Sequence, residues 1–496
     1  MANSTAPTLL DATPDLQEIV ALLLMPLRDL QQAVQSFRQQ APTPERTLEF
    51  ELRTGIVVQE AGRVVVEHEF NRIEPDTVAE CPERLRWAGE EYRRRPKSPN
   101  TIATSFGPIR LHRYLYEPLE RGEKSIFPLE LQLGIEAGLA TPALADRVGR
   151  QSAERTQKQV RAWLLHEHGV SWSNKTLRKL QKSLSEGLAS FREPAQAARL
   201  LKLLKAAARS RGPHQPVLAV GRDGIMVPLR KGVHEAATAT VTVMDRRGTN
   251  LGTVYLGRMP QSGQGVLSDQ LTSLLTQVLS GWHGPLPRLA YITDGGHHPQ
   301  RYYEEVLKRM ENPHQPGQRL QWQWIVDFWH ACGYVAKLKE GLFGDAKAGW
   351  AWFKKMRHWL QRRNQGVTQV LRSASQLRNG CKRLSKARTE LFEEAYHYLR
   401  GHTEWMDYAR YRRLGMPIGS GVTEAACKIV FTQRLKQSGM RWQVEGGQVI
   451  ADLRVLVLSD VWSETYRAYL QSRPLPEVVK TARYQRQEKE ILKIAA

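Results

Sequence analysis

Three acidic residues sit where neither packing nor solvent exposure readily explains an acid. Asp223 interrupts the apolar run Val217-Leu-Ala-Val-Gly-Arg-Asp-Gly-Ile-Met-Val227, and burying a carboxylate there is costly unless it is paired or bound to a cation. Asp294 ends the short run Leu289-Ala-Tyr-Ile-Thr-Asp-Gly-Gly296, at a strand carboxyl end, where ligands gather in α/β sheets. Glu424 lies in Gly419-Ser-Gly-Val-Thr-Glu-Ala-Ala-Cys-Lys428, in the first turns of a predicted helix. Carboxylate oxygens are hard ligands that suit Mg²⁺ or Mn²⁺ and leave positions for water and phosphate. Two such ions about 3.5–4 Å apart can clamp an in-line phosphoryl displacement. Taken singly, Asp-Gly is an ordinary turn dipeptide, and a helix-initial Glu favours the positive helix end without any metal. The joint pattern carries the metal reading, with Asp223, Asp294 and Glu424 holding two ions.

The elements that must position these acids follow from the surrounding patterns. Strands are predicted at Pro216–Met226, Ala236–Met244 and Gly252–Arg258, with the turn Asp245-Arg-Arg-Gly248 between the second and third. A helix over Val266–Leu279, a strand over Arg288–Thr293, a helix over Gln300–Met310 and a strand over Trp322–Val326 follow. The order β-β-β-α-β-α-β-α specifies a mixed sheet with helices on both faces and is the order of the ribonuclease H fold. The expected fold class is therefore α/β: a ribonuclease H-like core over 216–335 and 414–465, interrupted by an all-helical insertion at 336–413. That insertion holds 18 Lys+Arg against 7 Asp+Glu, with Trp350, Trp352, Trp359, Tyr396, Tyr398, Trp405, Tyr408 and Tyr411 among them, an interleaving suited to DNA contact.

Composition bounds the function class. The chain has 496 residues, a formal net charge of +22 and a pI of about 9.9. The length allows two to four domains, and the charge points to a polyanionic partner, most often nucleic acid. Its longest apolar run, Ile19–Met25, is far short of the roughly 20 residues of a membrane span. The first residues lack the basic start of a secretory signal. Cys81, Cys332, Cys381 and Cys427 include no CxxC pair, which suits a reducing cytoplasm and argues against a zinc ribbon.

Ahead of the core, 1–45 reads as a helical segment, with helical spacing over 9–40 and Pro26 as a kink. Residues 46–120 read as a small β-module, with strands at Thr54–Val58, Arg63–Glu67 and Ile109–Leu115. Residues 121–205 read as helical, with Pro142–His166, a turn, and a short basic helix capped by Ser173 or Asn174 forming a candidate helix-turn-helix. The expectation is a mixed helical/β DNA-binding region. Residues 466–496 read as a charged tail that frays from about Arg473.

The blocks Gly221-Arg-Asp-Gly224, Ile292-Thr-Asp-Gly-Gly296, Ile325-Val-Asp-Phe-Trp-His-Ala331, Met416-Pro-Ile-Gly-Ser-Gly421, Glu424-Ala-Ala-Cys-Lys428 and Arg434-Leu-Lys-Gln-Ser-Gly-Met-Arg-Trp442 together resemble the DDE transposases of bacterial insertion sequences. They look most like the Kra-type branch, distantly similar to the mutator-like group. The resemblance spans about 216–445 and places Asp223, Asp294 and Glu424 at the DDE positions, with Mg²⁺ or Mn²⁺ as cofactor. It implies Mg²⁺-dependent cleavage at element ends, strand transfer by the freed 3′-OH, double-stranded DNA as partner, and a homodimer or larger complex in the cytoplasm, associated with the nucleoid.

Asp327 and His330 fit the family's acid-x-x-His element. His330 could touch the scissile phosphate or orient water, with Asp327 fixing its tautomer; a structural histidine satisfied by the acid is the alternative. Lys428, Arg434, Lys436 and Arg441 could position phosphates and Trp442 could stack on a splayed base, although Lys428 could equally form an i,i+4 ion pair with Glu424. Relatives often carry paired cysteines ahead of this core, where only Cys81 stands here, so zinc is not expected. A ribonuclease H-like nuclease without strand transfer and a non-enzymatic DNA-binding descendant are the two rivals.

Overall fold

The computed structural model describes residues 13–78, 80–120, 122–380 and 384–480. Cys381, the first four residues of the expected 9–40 helix and the last sixteen residues of the tail lie outside the described residues. The chain divides into two compact units, residues 1–187 with 467–496, and residues 188–466.

The first unit opens with α1 (Pro14–Arg38) and α2 (Pro44–Arg72). Each begins with proline behind a threonine cap, Thr13 or Thr43, an arrangement that pre-sets the first helical turn. Pro26 is accommodated inside α1 without dividing it. The strands expected at Thr54–Val58 and Arg63–Glu67 are instead part of α2. Their β-branched residues favour strand, but Arg63 pairs with Glu60 at 2.7 Å and with Glu67, one helical turn to either side, and Phe50 stacks on Phe37 of α1 with ring centroids 4.5 Å apart. Helical side-chain pairing and packing between the two helices override the local preference. Between Pro14 and Arg72 nine acids outnumber six arginines, so this hairpin adds nothing to the chain's positive charge.

The β-module starts later than expected, with β1 (Arg84–Trp87), β2 (Glu90–Thr104) and β3 (Gly107–Pro118) as an antiparallel meander. The segment Glu477–Val478 pairs with β1, and the Arg473 guanidinium donates to the Gly134 carbonyl at 2.8 Å. The tail is therefore tied down at least that far. Cys81 is buried, its thiol 3.3 Å from the Tyr116 hydroxyl, and burial pushes its pKa up. Arg113 of β3 and Glu130 of α3 (Pro128–Gln132) form a buried ion pair at 2.5 Å.

The expected Pro142–His166 helix is two helices, α4 (Pro142–Glu154) and α5 (Gln157–His168). Thr156 separates them with a capping box to Gln159, which satisfies the orphan N–H groups at the start of α5. Gly169 ends α5 in the left-handed conformation, and Ser173 caps α6 (Asn174–Arg209). At 36 residues α6 is not the short helix the sequence suggested. Its Leu177, Leu180 and Leu184 are fully buried and carry the helical period of a core-facing stripe.

The second unit is built on β4 (Val217–Pro228), β5 (Val233–Met244), β6 (Asn250–Arg258), α7 (Gly265–Ser280), β7 (Arg288–Thr293), α8 (His297–Glu305), a small hairpin β8 (Glu311–Asn312) and β9 (Gln315–Arg319), and β10 (Trp322–Val326). The five long strands form one mixed sheet in the order β10-β7-β4-β5-β6. β4, β5 and β6 are antiparallel neighbours, whereas β7 and β10 run parallel to β4. The β8–β9 hairpin was missed because its polar residues alternate with nothing buried except Asn312.

Strand alternation sends Leu218, Val220, Leu289, Tyr291 and Trp324 to one face, against α7 and the end of α6. Val217, Ala219, Ala290 and Ile292 go to the other face. That second face is covered by α9 (Phe328–Phe343) and the helices that follow it: α10 (Lys347–Arg362), α11 (Gly366–Gly380), α12 (Lys386–Gly401) and α13 (Tyr408–Arg413). The chain then returns through α14 (Gly421–Cys427), a π-helical turn at Lys428–Thr432, α15 (Gln433–Leu435) and α16 (Val444–Leu458). No helix of the described residues is long and apolar enough to cross a membrane.

Candidate functional site

The strand register places the first two acids. Gly221 of β4 pairs with Ile292 of β7 in parallel. Asp223 and Asp294 each lie two residues further along neighbouring chains, on the face shared by Ala219 and Ile292. Adjacent strands are about 4.8 Å apart, so the topology delivers both acids to the same end of the sheet from positions far apart in sequence.

Glu424 comes to that end on α14, and a glycine allows it. A Cβ on Gly221 would lie 1.9 Å from Thr423 Oγ1, so only glycine lets the helix approach β4 this closely. Beneath α14 runs a polar seam. Thr423 Oγ1 and Thr240 Oγ1 of β5 are 2.8 Å apart, the Cys427 thiol lies 3.0 Å from Thr238 Oγ1, and the same thiol donates to Asp223 Oδ2 at 3.4 Å. Gly221 and Cys427 thus fix the site although neither stands out as chemistry in the sequence. The signal available was the pairing of a glycine inside an apolar strand with a small-residue helix start.

Burial pushes the Asp223 pKa up, the Gly224 N–H (2.8 Å) and the Cys427 thiol oppose that, and the charges of Asp294 and Glu424 push it further up. Asp294 accepts from the Gly296 N–H at 2.9 Å. Glu424 is exposed, and its carboxylate accepts from Ser420 Oγ at 3.1 Å. Asp223 therefore lies near enough to Asp294 and Glu424 to feel both charges. Among the described residues, however, no three His, Cys, Asp or Glu side chains are gathered tightly enough to hold a metal ion together. The donor set still fits a hard divalent cation: oxygen ligands only, one partly desolvated, with mutual repulsion that a cation would offset.

Asp327 is fully buried and does not reach the His330 ring. Its Oδ1 accepts from the backbone N–H of His330 at 2.6 Å, and its Oδ2 accepts from the backbone N–H of Ser420. Asp327 therefore caps α9 and ties it to the segment leading into α14. It positions two elements and does not set the tautomer of His330. The His330 side chain is exposed and lies beside Tyr334 and Tyr398, with ring centroids 5.4 and 5.7 Å away.

Tyr398, which the sequence offered only as one of the insertion's interleaved aromatics, braces the acid loop instead. It stacks on Tyr334 at 3.7 Å, and its hydroxyl donates to the backbone carbonyl of Asp294. His402 lies 3.3 Å from the Gly295 carbonyl through Nε2. The helical insertion therefore buttresses the Asp294 loop. Much of its aromatic content is core: Tyr408 and Tyr411 are buried, and Trp405 packs on Trp324 at 4.2 Å. Trp350, 55% exposed, remains on the surface.

The basic residues expected at DNA separate into two groups. Lys428, Lys436 and Arg441 are exposed, and Lys428 forms no ion pair with Glu424. Arg434, in contrast, is completely buried, with its guanidinium over the Trp442 ring at 5.6 Å and its pKa lowered to about 10, mainly by burial. It is a core residue and cannot reach a phosphate from this position. Trp442 is half-buried and its indole N–H donates to the Leu435 carbonyl at 2.8 Å. Its backbone forms a bridge with Leu229, and together with the Arg434 guanidinium over its face this holds the ring against the core. The sequence reading failed at Arg434 because a charged residue near a helix end looks the same whether it points outward or inward. Comparison of the sequence with protein-family models and with curated proteins finds no match.

Proposed function

We propose that the protein is a ribonuclease H-like, metal-dependent transposase that cleaves DNA at element ends and joins the freed 3′-OH to target DNA. The observation that supports this reading is that Asp223, partly buried in β4 of a five-stranded mixed sheet ordered β10-β7-β4-β5-β6, lies near enough to Asp294 after β7 and Glu424 on α14 to feel both charges. The basic charge of the chain, +22, supports a nucleic-acid substrate. Assembly as a homodimer or larger complex on two DNA ends, in the cytoplasm, belongs to the same proposal.

Asp223, Asp294 and Glu424 would hold Mg²⁺ or Mn²⁺. Such ions supply charge neutralisation at phosphate and a lowered pKa for water. The chain's own residues do the rest. Asp223 is rigidly placed by β4 and by the Cys427 and Gly224 donors. Asp294 is held by its own loop, which Tyr398 braces from the insertion. Glu424, exposed and bound by a single serine hydroxyl, is the member free to move inward. The exposed His330, Lys428 and Arg441 would offer donors to the scissile strand.

The test is a nicking and joining assay on DNA carrying the sequences that flank the coding region. Divalent-ion-dependent cleavage by the natural chain, abolished in Asp223→Asn, together with joining of the cut 3′ end to a second duplex, supports the proposal. Cleavage without joining would favour the nuclease, and equal cleavage by Asp223→Asn would overturn the assignment of the acids.

A further inference from the structure

The opposite end of the same sheet carries a cleft of about 400 Å³, lined where β7 and β10 begin and by the β8–β9 hairpin. Arg288 is the first residue of β7 and Asp294 follows its last, so at about 3.3 Å per residue the cleft lies on the order of 20 Å from the acids. Its walls contain three arginines, Arg288, Arg319 and Arg410, several amide side chains including Gln215 and Gln323, and no acid. None of the three arginines forms an ion pair among the described residues.

Two of the lining residues also carry a buried donor. Trp322 is only 6% exposed, yet its indole N–H has no protein acceptor. The Nε–H of Arg288 is buried in the same state. A buried N–H without an acceptor is destabilising, so the edge of this cleft is not fully satisfied by the protein itself. The chemistry of the lining is that of a phosphate site: planar guanidinium groups, an indole donor, neutral amides and no competing carboxylate.

We infer that this cleft binds phosphate groups, and that in the working protein these belong to a DNA backbone held at a distance from the acids. The inference stands on this cleft alone and does not require the acids to be catalytic.

The experiment uses the full chain carrying Asp223→Asn, in buffer without divalent ions, so neither turnover nor metal binding enters the readout. Binding of a labelled duplex of arbitrary sequence is followed by anisotropy across a salt series, and melting is followed with and without inorganic phosphate. Arg319 and Arg410 are both exposed, so the double change Arg319→Gln, Arg410→Gln is expected to leave the fold intact. It should weaken duplex binding about tenfold and reduce the salt slope by about two, since each lost phosphate contact removes about 0.9. Arg288→Gln, which removes the third guanidinium, should weaken binding in the same direction. If duplex binding is unchanged but phosphate no longer raises the melting temperature of the variants, the site stands and its ligand is a small phosphate compound. If affinity, slope and phosphate response all match the parent in variants that melt like it, the inference is overturned.

Discussion

The two ends of the second unit's sheet carry opposite chemistry. Past the end of β7 and beside it in β4 stand carboxylates, of which Asp223 is partly desolvated and has its pKa raised by burial and by the charges of Asp294 and Glu424. At the amino ends of β7 and β10 stand arginines and amides around donors with no protein acceptor. The chain's positive excess therefore does not describe every surface that would meet DNA. The arginine end can meet phosphate directly. The acidic end repels phosphate unless cations stand between, which is why a divalent ion and the acids belong to one hypothesis.

The largest expected effect breaks the acidic end. Asp223→Asn, Asp294→Asn or Glu424→Gln should each lower DNA cleavage by on the order of 10³-fold or more while leaving metal-free duplex binding unchanged, because residues that act as one unit fail together. A cleavage assay beside an anisotropy titration separates the two effects.

Next comes the seat of Glu424. Gly221→Ala puts a methyl group 1.9 Å from Thr423 Oγ1, and overpacking of this kind costs about 1–3 kcal/mol. The expected result is a lower melting temperature together with reduced cleavage, partly restored by Thr423→Ala, which removes the clashing oxygen. No rescue would mean that α14 is not held by this contact.

A third comparison sharpens which basic residues reach DNA. Lys436→Gln with Arg441→Gln should lower the salt slope of duplex binding by up to about two at unchanged stability. Arg434→Met should do the reverse, leaving the slope alone and changing the melting temperature, because that side chain is enclosed.

The smallest effect concerns the cost of the acid itself. Ionised Asp223 is disfavoured by burial, so its folded-state pKa lies above the unfolded one. The folded state then binds a proton more readily, and ionisation at neutral pH costs stability that returns as the pH falls through the raised pKa. Without divalent ions, Asp223→Asn should melt higher than the natural chain near neutral pH, by a smaller margin than any of the effects above. The gap should close in acid, when Asp223 is protonated and as neutral as asparagine.

The core was legible in the sequence where the physics is local. Alternating apolar runs closed by turn residues marked β4 to β7 and β10 to within a few residues, and the acids stood out because they broke those runs. The α2 helix was misread because Ile56, Val57, Val58 and Val64 to Val66 favour strand, whereas the pairing with α1 that overrides them is tertiary. Gly221, Tyr398 and the Arg288–Trp322 cleft were not legible for a related reason. Each depends on which residue lies opposite, and Tyr398 meets Asp294 from 104 positions away. Arg434 shows the converse, a basic residue whose burial no local pattern announced.

The most direct test of the central claim is a Mn²⁺ titration of the full chain, with free ion counted by electron paramagnetic resonance and with the triple variant Asp223→Asn, Asp294→Asn, Glu424→Gln alongside. The account predicts up to two Mn²⁺ retained per natural chain and none beyond background in the folded triple variant. Equal retention by both proteins would contradict it.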